Sequence, residues 1–319
     1  MKSYFIDTNF FLRLLIKDDK EQYNEVYQIL RDFFKARQVM EVETPLLCQY
    51  AITDPFIDSF QVNPSGYFLQ TSPEYAMKRL LVEGVGDIFQ ITKAFRVETS
   101  GHKHNPEFTM LEWYRAEFNH HQLMDEMDEL LQLILKCKNA ERVSYQHLFL
   151  RELSLDPFAI SLKELQVIAH DKINLSQTFD DPDTYLQLLF SHGIEPSLGF
   201  HAPCFIYDFP PSQAALACIR EDSPRVGERF EVYIQGTELA NGFHELQNAA
   251  EQLKRFQDDQ QKRRQLGLKP MGIDHRFINA LQKGLPACSG VALGLDRLLM
   301  LKMGVTDIQS VLCFPWNEA

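Results

Sequence analysis

The sequence predicts an α+β protein, an antiparallel sheet flanked by helices with a small helical insertion. Three observations carry this. Residues 95–114, FRVETSGHKHNPEFTMLEWY, read as a strand, a polar loop at 99–106 and a second strand, the pattern of an antiparallel hairpin. Residues 229–235 and 288–295 repeat the alternation of a half-buried strand. Residues 19–37 and 123–135 carry apolar side chains at i, i+3, i+4 and i+7, the spacing of amphipathic helices.

Taken in order, residues 1–17 open with SYFIDTNFFLRLL, which resembles the first strand and turn of PIN-domain nucleases, where an acid like Asp7 helps hold a metal. The sequence that follows does not continue that pattern, so residues 1–24 read as a divergent N-terminal extension. After the 19–37 helix, residues 38–44 alternate as a strand that Pro45 stops. Ser72-Pro73-Glu74 is a helix start, with Ser72 as N-cap, Pro73 at the first helical position and an acid in the first turn. Gly84 and Gly86 end that helix. Residues 141–200 read as short helices and loops, the place of the insertion, and no chemistry is legible there. Residues 205–209 form a short strand. Residues 229–235 put Phe230, Val232 and Ile234 on one face. Residues 247–264 form a polar helix.

Four stretches point to chemistry. In the hairpin, Arg96 and Glu98 share one face, and Phe108, Glu112 and Tyr114 share another. An arginine, aromatics and carboxylates on one wall suit a nucleotide, although alternation alone equally fits a surface hairpin. Glu112 lies between Leu111 and Trp113, and a carboxylate on so apolar a strand needs a partner. In ELANGFHEL, Glu238 and Glu245 bracket a glycine that permits a bend, and two such acids suit Mg²⁺ with phosphate oxygens; spacing alone favours unrelated surface acids. At residues 288–295, Gly290, Ala292 and Gly294 make a bare face for a ligand to lie against. Asp296 caps the following helix, with Arg297 in its first turn, so cation and helix terminus face an anion.

Composition sets limits. Among 319 residues, 45% are hydrophobic and 24% charged, an ordinary globular balance. No apolar run approaches the ~18–20 residues of a membrane span. Six cysteines without CxxC spacing fit a reducing cytosol rather than a disulfide framework or zinc site, which points to a cytoplasmic protein. The net charge of −12 argues against a protein that grips nucleic acid by its phosphates. The cluster Lys262-Arg263-Arg264 lies beside Asp258 and Asp259 and reads as a solvated helix face.

These stretches together resemble the class II aminoacyl-tRNA synthetases. Glu43-Thr44-Pro45 is similar to the end of their motif 1, residues 95–114 to the lysine-specific form of motif 2, and GVALGLDR at 290–297 to motif 3. TSPEYAMKRLL at 71–81 and ELANGFHEL are similar to further lysine-specific segments. The resemblance runs from about residue 25 to 319. It is strongest to short paralogues of lysyl-tRNA synthetase that modify elongation factor P. It implies the class II catalytic fold over residues 25–319, a homodimer, and ATP and Mg²⁺.

For ATP, it implies Arg96 on the α-phosphate, Phe108 and Arg297 on the adenine faces, Glu98 on the adenine amino group, and His104 and Asn105 near the triphosphate. Val97, Leu239 and Gly294 join the same site. Glu238 and Glu245 would carry Mg²⁺. For the amino acid, (R)-β-lysine or less readily L-lysine, it implies Ser72, Pro73, Glu74, Glu112, Tyr114, Glu245 and Ala292. The catalytic residues are then Arg96 and Arg297. Motif 1 falls within the first forty-five residues, which leaves no room for the anticodon-binding module of a lysyl-tRNA synthetase, and no tRNA is expected. Charging of tRNA, or a non-catalytic binding role, are the other readings.

Overall fold

Alternating strands and amphipathic helices assemble around one large sheet. The computed structural model describes residues 20–318. The PIN-like stretch at 1–17, Asp7 included, lies outside the described residues. Helix α1 (Lys20–Ala36) begins inside the stretch read as the N-terminal extension. Short strands β1 (Met40–Glu41), β2 (Leu47–Cys48), β3 (Gln61–Val62) and β4 (Tyr67–Leu69) lead to α2 (Glu74–Val82), β5 (Ile88–Phe95), β6 (Glu107–Ala116) and α3 (His120–Leu135). Then follow β7 (Glu141–Ser144), α4 (Tyr145–Leu153), α5 (Leu162–Ile173), α6 (Pro182–Leu189), β8 (Cys204–Phe209), β9 (Ile219–Arg220), β10 (Val226–Tyr233) and β11 (Glu238–His244). The chain closes with α7 (Ala249–Gln265), α8 (His275–Gly284), β12 (Cys288–Gly294) and α9 (Leu295–Met303).

The sheet runs β1-β5-β6-β12-β11-β10-β8-β7, with β9 beside β10. Its interior pairs are antiparallel, while the end pairs β1·β5 and β7·β8 are parallel. The expected strand at 38–44 contracts to two residues, because after Val42 the chain leaves the edge of β5.

Strand alternation decides which side chains meet the core and which are left for a site. One sheet face sends Leu111 and Trp113 of β6, Val291 and Leu293 of β12, and Phe230 and Val232 of β10 into a core with α1, α3 and α9. Phe34 of α1 stacks on Phe89 at 4.4 Å and meets Trp113 edge-on at 5.4 Å. The helices between β7 and β8 build their own core around Tyr145, Phe149, Leu189 and Ile206. A third cluster joins α2 and α8 through Met77, Leu81, Phe277 and Leu281. Gly242 lies within regular strand rather than at a bend. A Cβ there would lie 2.4 Å from the Phe230 ring, so the glycine is required by packing across the strand pair.

Two helix starts differ from the sequence expectation. α2 begins at Glu74 with Pro73 at the cap position, and Ser72 contributes through its Oγ, which accepts the Glu74 N–H at 3.1 Å. α9 begins at Leu295 after Gly294, so Asp296 is not the cap. Its Oδ2 instead accepts the Thr109 N–H of β6 at 2.6 Å and ties the helix to the hairpin. No helix among the described residues is long and apolar enough to cross a membrane.

Candidate active site

The opposite face of the same strands lines a cavity of about 470 Å³. That is within the range of small-molecule sites. Arg229 and Glu231 come from β10, Asn241 and Phe243 from β11, Glu112 and Tyr114 from β6, and Gly290, Ala292 and Gly294 from β12. A register shift at Val232/Tyr233 sets Glu238 opposite Tyr233, and Glu238 lines the cavity too. Arg96, Glu98, His104, Asn105, Phe108, Leu239 and Arg297 line one end; Ser72, Glu74 and Glu245 line the other. Val97 and Pro73 are not among the lining residues. Val97 is 51% exposed, its backbone bonded to Asp58 O.

The cationic end is built by the hairpin loop and α9. β5 stops at Phe95, so Arg96 and Glu98 lie just past the strand rather than on its face. The Arg96 guanidinium sits 5.2 Å from the Phe108 ring centroid, and its Nε is buried without a hydrogen-bond partner. Burial lowers its pKa, opposed by Glu98 and Glu238. A buried N–H without an acceptor is costly unless a ligand supplies one. Arg297 donates to Lys103 O at 3.2 Å and Glu238 O at 2.6 Å, and to His104 Nε2 at 2.8 Å. Burial and the Arg297 charge push His104 below its ordinary range, so its neutral ring accepts that bond. Asn105 works inside the protein: its Nδ2 donates to Glu107 O at 2.6 Å, and its Oδ1 accepts the Trp316 N–H at 3.3 Å.

The acidic end is a carboxylate cup. Glu112 has the partners its setting demands, accepting from Tyr114 OH at 2.7 Å and Ser72 Oγ at 2.8 Å. Burial, then Glu74, push its pKa up to about 7 against those hydrogen bonds. Glu245 is pushed up to about 8, chiefly by burial and opposed by Lys78. Gly290 forms the floor: a Cβ there would fall 2.2 Å from the Tyr114 ring and 2.7 Å from Glu245 Oε1.

The two acids expected to share Mg²⁺ do not meet. Glu238 opens the seven-residue strand β11 and Glu245 follows its last residue, so the extended chain sets them roughly 20 Å apart. Glu245 lies in the cup, with Lys78 Nζ 2.5 Å from its Oε2. Glu238 has Glu231 for a neighbour instead. Burial, then the Glu231 charge, push Glu238 up to about 7, while Arg297, Arg229 and Arg96 pull it down. The buried Glu231 and the half-buried Glu238 are neighbouring carboxylates at the cationic end, the oxygen donors that would suit a hard divalent cation.

Sequence reasoning missed Glu231, Arg229 and Lys78. The signal for the first two was the polar parity of residues 229–233, opposite Phe230 and Val232. It also took Arg263 for a solvated residue. Arg263 is fully buried and holds the loop beside the cavity, donating to Asp54 O at 2.7 Å and Asp58 Oδ1 at 2.9 Å.

The family described as tRNA synthetases class II (D, K and N) matches residues 18–318. The chain belongs to this family. Similar to this class II synthetase-family chain are proteins named elongation factor P–(R)-β-lysine ligase. The one from Vibrio vulnificus is 54% identical over 302 residues, covering 91% of this chain and 93% of the relative. The one from Yersinia enterocolitica is 50% identical over 300 residues, 91% and 92%. The one from Pseudoalteromonas translucida is 50% identical over 304 residues, 92% and 94%.

Proposed function

We propose that this ligase uses ATP to activate (R)-β-lysine, and L-lysine less well, as an aminoacyl adenylate, then transfers it to a lysine side chain of elongation factor P. The observation that carries the reading is one cavity with two ends. Arginines with an aromatic ring lie at one end, and at the other two buried carboxylates, Glu112 and Glu245, with the half-buried Glu74, the two ends joined by a glycine floor. The names of the relatives supply the acceptor and the amino acid.

The chain's residues act by holding reactants. Arg96 binds the α-phosphate, a role its buried, unpartnered Nε supports. Phe108 and Arg297 flank the adenine, and Glu98 reads its amino group. His104 directs Arg297 more than it touches phosphate, and Asn105 shapes the loop. Glu231 and Glu238 would hold Mg²⁺, which when bound neutralises phosphate charge. Glu74, Glu112, Tyr114 and Glu245 receive the two ammonium groups. The substrate carboxylate is already a nucleophile and attacks the α-phosphorus in line, expelling pyrophosphate. No general base is needed, so catalysis is positioning and charge neutralisation. The acceptor amine then attacks the acyl carbon and AMP leaves.

Two further parts of the reading concern assembly and location. A homodimer is supported by apolar side chains left exposed near β1 to β4, Met40 at 54% and Leu47 at 46%. A cytoplasmic setting agrees with six unpaired thiols. The domain reading keeps residues 25–319 as the catalytic unit, with the 141–200 region as its insertion.

ATP–pyrophosphate exchange dependent on (R)-β-lysine tests the activation step. Exchange is expected with (R)-β-lysine and more weakly with L-lysine. Arg96→Ala should lose on the order of 10²-fold or more. Undiminished exchange in that variant would remove the phosphate role assigned to Arg96, and absence of exchange with either lysine would overturn the reading.

A further inference from the structure

Behind the acidic cup lies an ammonium that the activation chemistry above does not use. Lys78 is on α2, one turn after Glu74, and is 1% exposed. Its Nζ lies 2.6 Å from Glu74 Oε1 and 2.5 Å from Glu245 Oε2. It is not among the lining residues of the cavity. It therefore faces the outer oxygens of two cup carboxylates whose other oxygens remain for a ligand.

We propose that Lys78 is a positioning residue, a built-in counter-ion that sets the charge of the cup to match a diamino acid. The inference rests on the function proposed above. With its three carboxylates ionised, the cup carries −3 from Glu74, Glu112 and Glu245. Lys78 brings that to −2. A diamino acid whose carboxylate has become the mixed anhydride of an acyl adenylate presents two ammonium groups to the cup, +2, and the cup is neutralised. A monoamino acid leaves a buried negative charge unmatched, which is expensive in a low-dielectric site. Without Lys78 even the diamino acid would leave one carboxylate uncompensated. That carboxylate would take a proton instead.

The surroundings support this. The titratable groups that interact with Lys78 are Glu74 on its own helix, Glu112 from β6, Glu245 after β11 and Cys288 from β12. Burial works against the ammonium, but Glu245 and Glu74 hold its pKa above the ordinary lysine value, so it stays charged wherever the cup is ionised. The same burial raises Glu112 and Glu245. Lys78 is the cation that keeps those two from rising further.

Lys78→Ala removes three carbons and the nitrogen, the size of propylammonium. Lys78→Gln keeps length and polarity without charge, and serves if the alanine variant does not fold. Pyrophosphate exchange is followed from about pH 6 to 9 with (R)-β-lysine, and KM is measured for both substrates. In either variant the amino-acid KM should rise about tenfold or more. The acidic limb of its kcat/KM profile should move up by about one pH unit. The KM for ATP should stay within about twofold. Propylammonium should restore the alanine variant in part and leave the wild type unaffected. Equal loss for ATP and amino acid with an unmoved pH limb would make Lys78 a packing residue and overturn the proposal. So would an unchanged amino-acid KM. A wild type inactive with every diamino acid would instead overturn the function reading on which the proposal rests.

Discussion

Glu245 takes the Lys78 ammonium on one oxygen and turns the other toward the Gly290 floor. Glu245→Gln should therefore weaken the diamino acid by a factor equivalent to ~2–5 kcal/mol while leaving the KM for ATP nearly intact, because an amide cannot replace a charge-assisted bond. Equal weakening of both substrates would contradict its assignment to the cup. The raised carboxyls add a pH dependence. Burial pushes Glu112 up to about 7 and Glu245 up to about 8, above the ordinary 4.5. Their contribution to stability is thus full below about 4.5 and is lost as pH rises through 7 to 8. A bound diammonium ligand reverses this by favouring the ionised form. The rise in melting temperature caused by the diamino acid should be larger at about pH 8 than at about pH 6, read by thermal unfolding. A rise that shrinks with pH would contradict the cup.

Ala292 tests specificity at the same scale. It is paired with Glu112 across the strands and carries the one side-chain methyl among the bare positions 290, 292 and 294. Ala292→Gly should shift the kcat/KM ratio toward L-lysine, by the ~10–200-fold that one methyl(ene) commands in a pocket. Both lysines losing activity together would assign Ala292 to packing.

At the scale of elements, the carriers of the site were legible where one local rule decides. The bare face of β12 follows from three small residues at period two, and the partners of Glu112 from the cost of an unpaired carboxylate. What stayed hidden depends on contacts distant in sequence. Nothing local in the sequence singles out Lys78, and only the approach of α2 to Glu245 at the end of β11 makes it a buried counter-ion. Glu231 became a neighbour of Glu238 through the β10·β11 register. Asp296 looked like a cap and is a cross-element tie. Asp296→Ala should leave the buried Thr109 N–H without that acceptor, costing about 1–3 kcal/mol in denaturant unfolding. Because Arg297 follows it, the KM for ATP should rise more than that for the amino acid. The opposite order would separate α9 from the nucleotide end.

For the molecule as a whole, the proposed function rests on what the activated lysine meets next. The −12 charge is unfavourable for a tRNA, whose phosphates call for a basic surface. Dimerisation belongs to this scale as well. Leu47→Glu is expected to shift a dimer toward monomer in sedimentation experiments, and an unchanged dimer would place the interface away from β2.

The most direct test offers both acceptors at once. The wild-type protein is incubated with ATP, Mg²⁺, (R)-β-lysine, purified elongation factor P and tRNA-Lys, and both acceptors are analysed by mass spectrometry. The account predicts one lysyl mass added to a single lysine of elongation factor P and no appreciable charging of the tRNA. Charged tRNA with unmodified elongation factor P would contradict it.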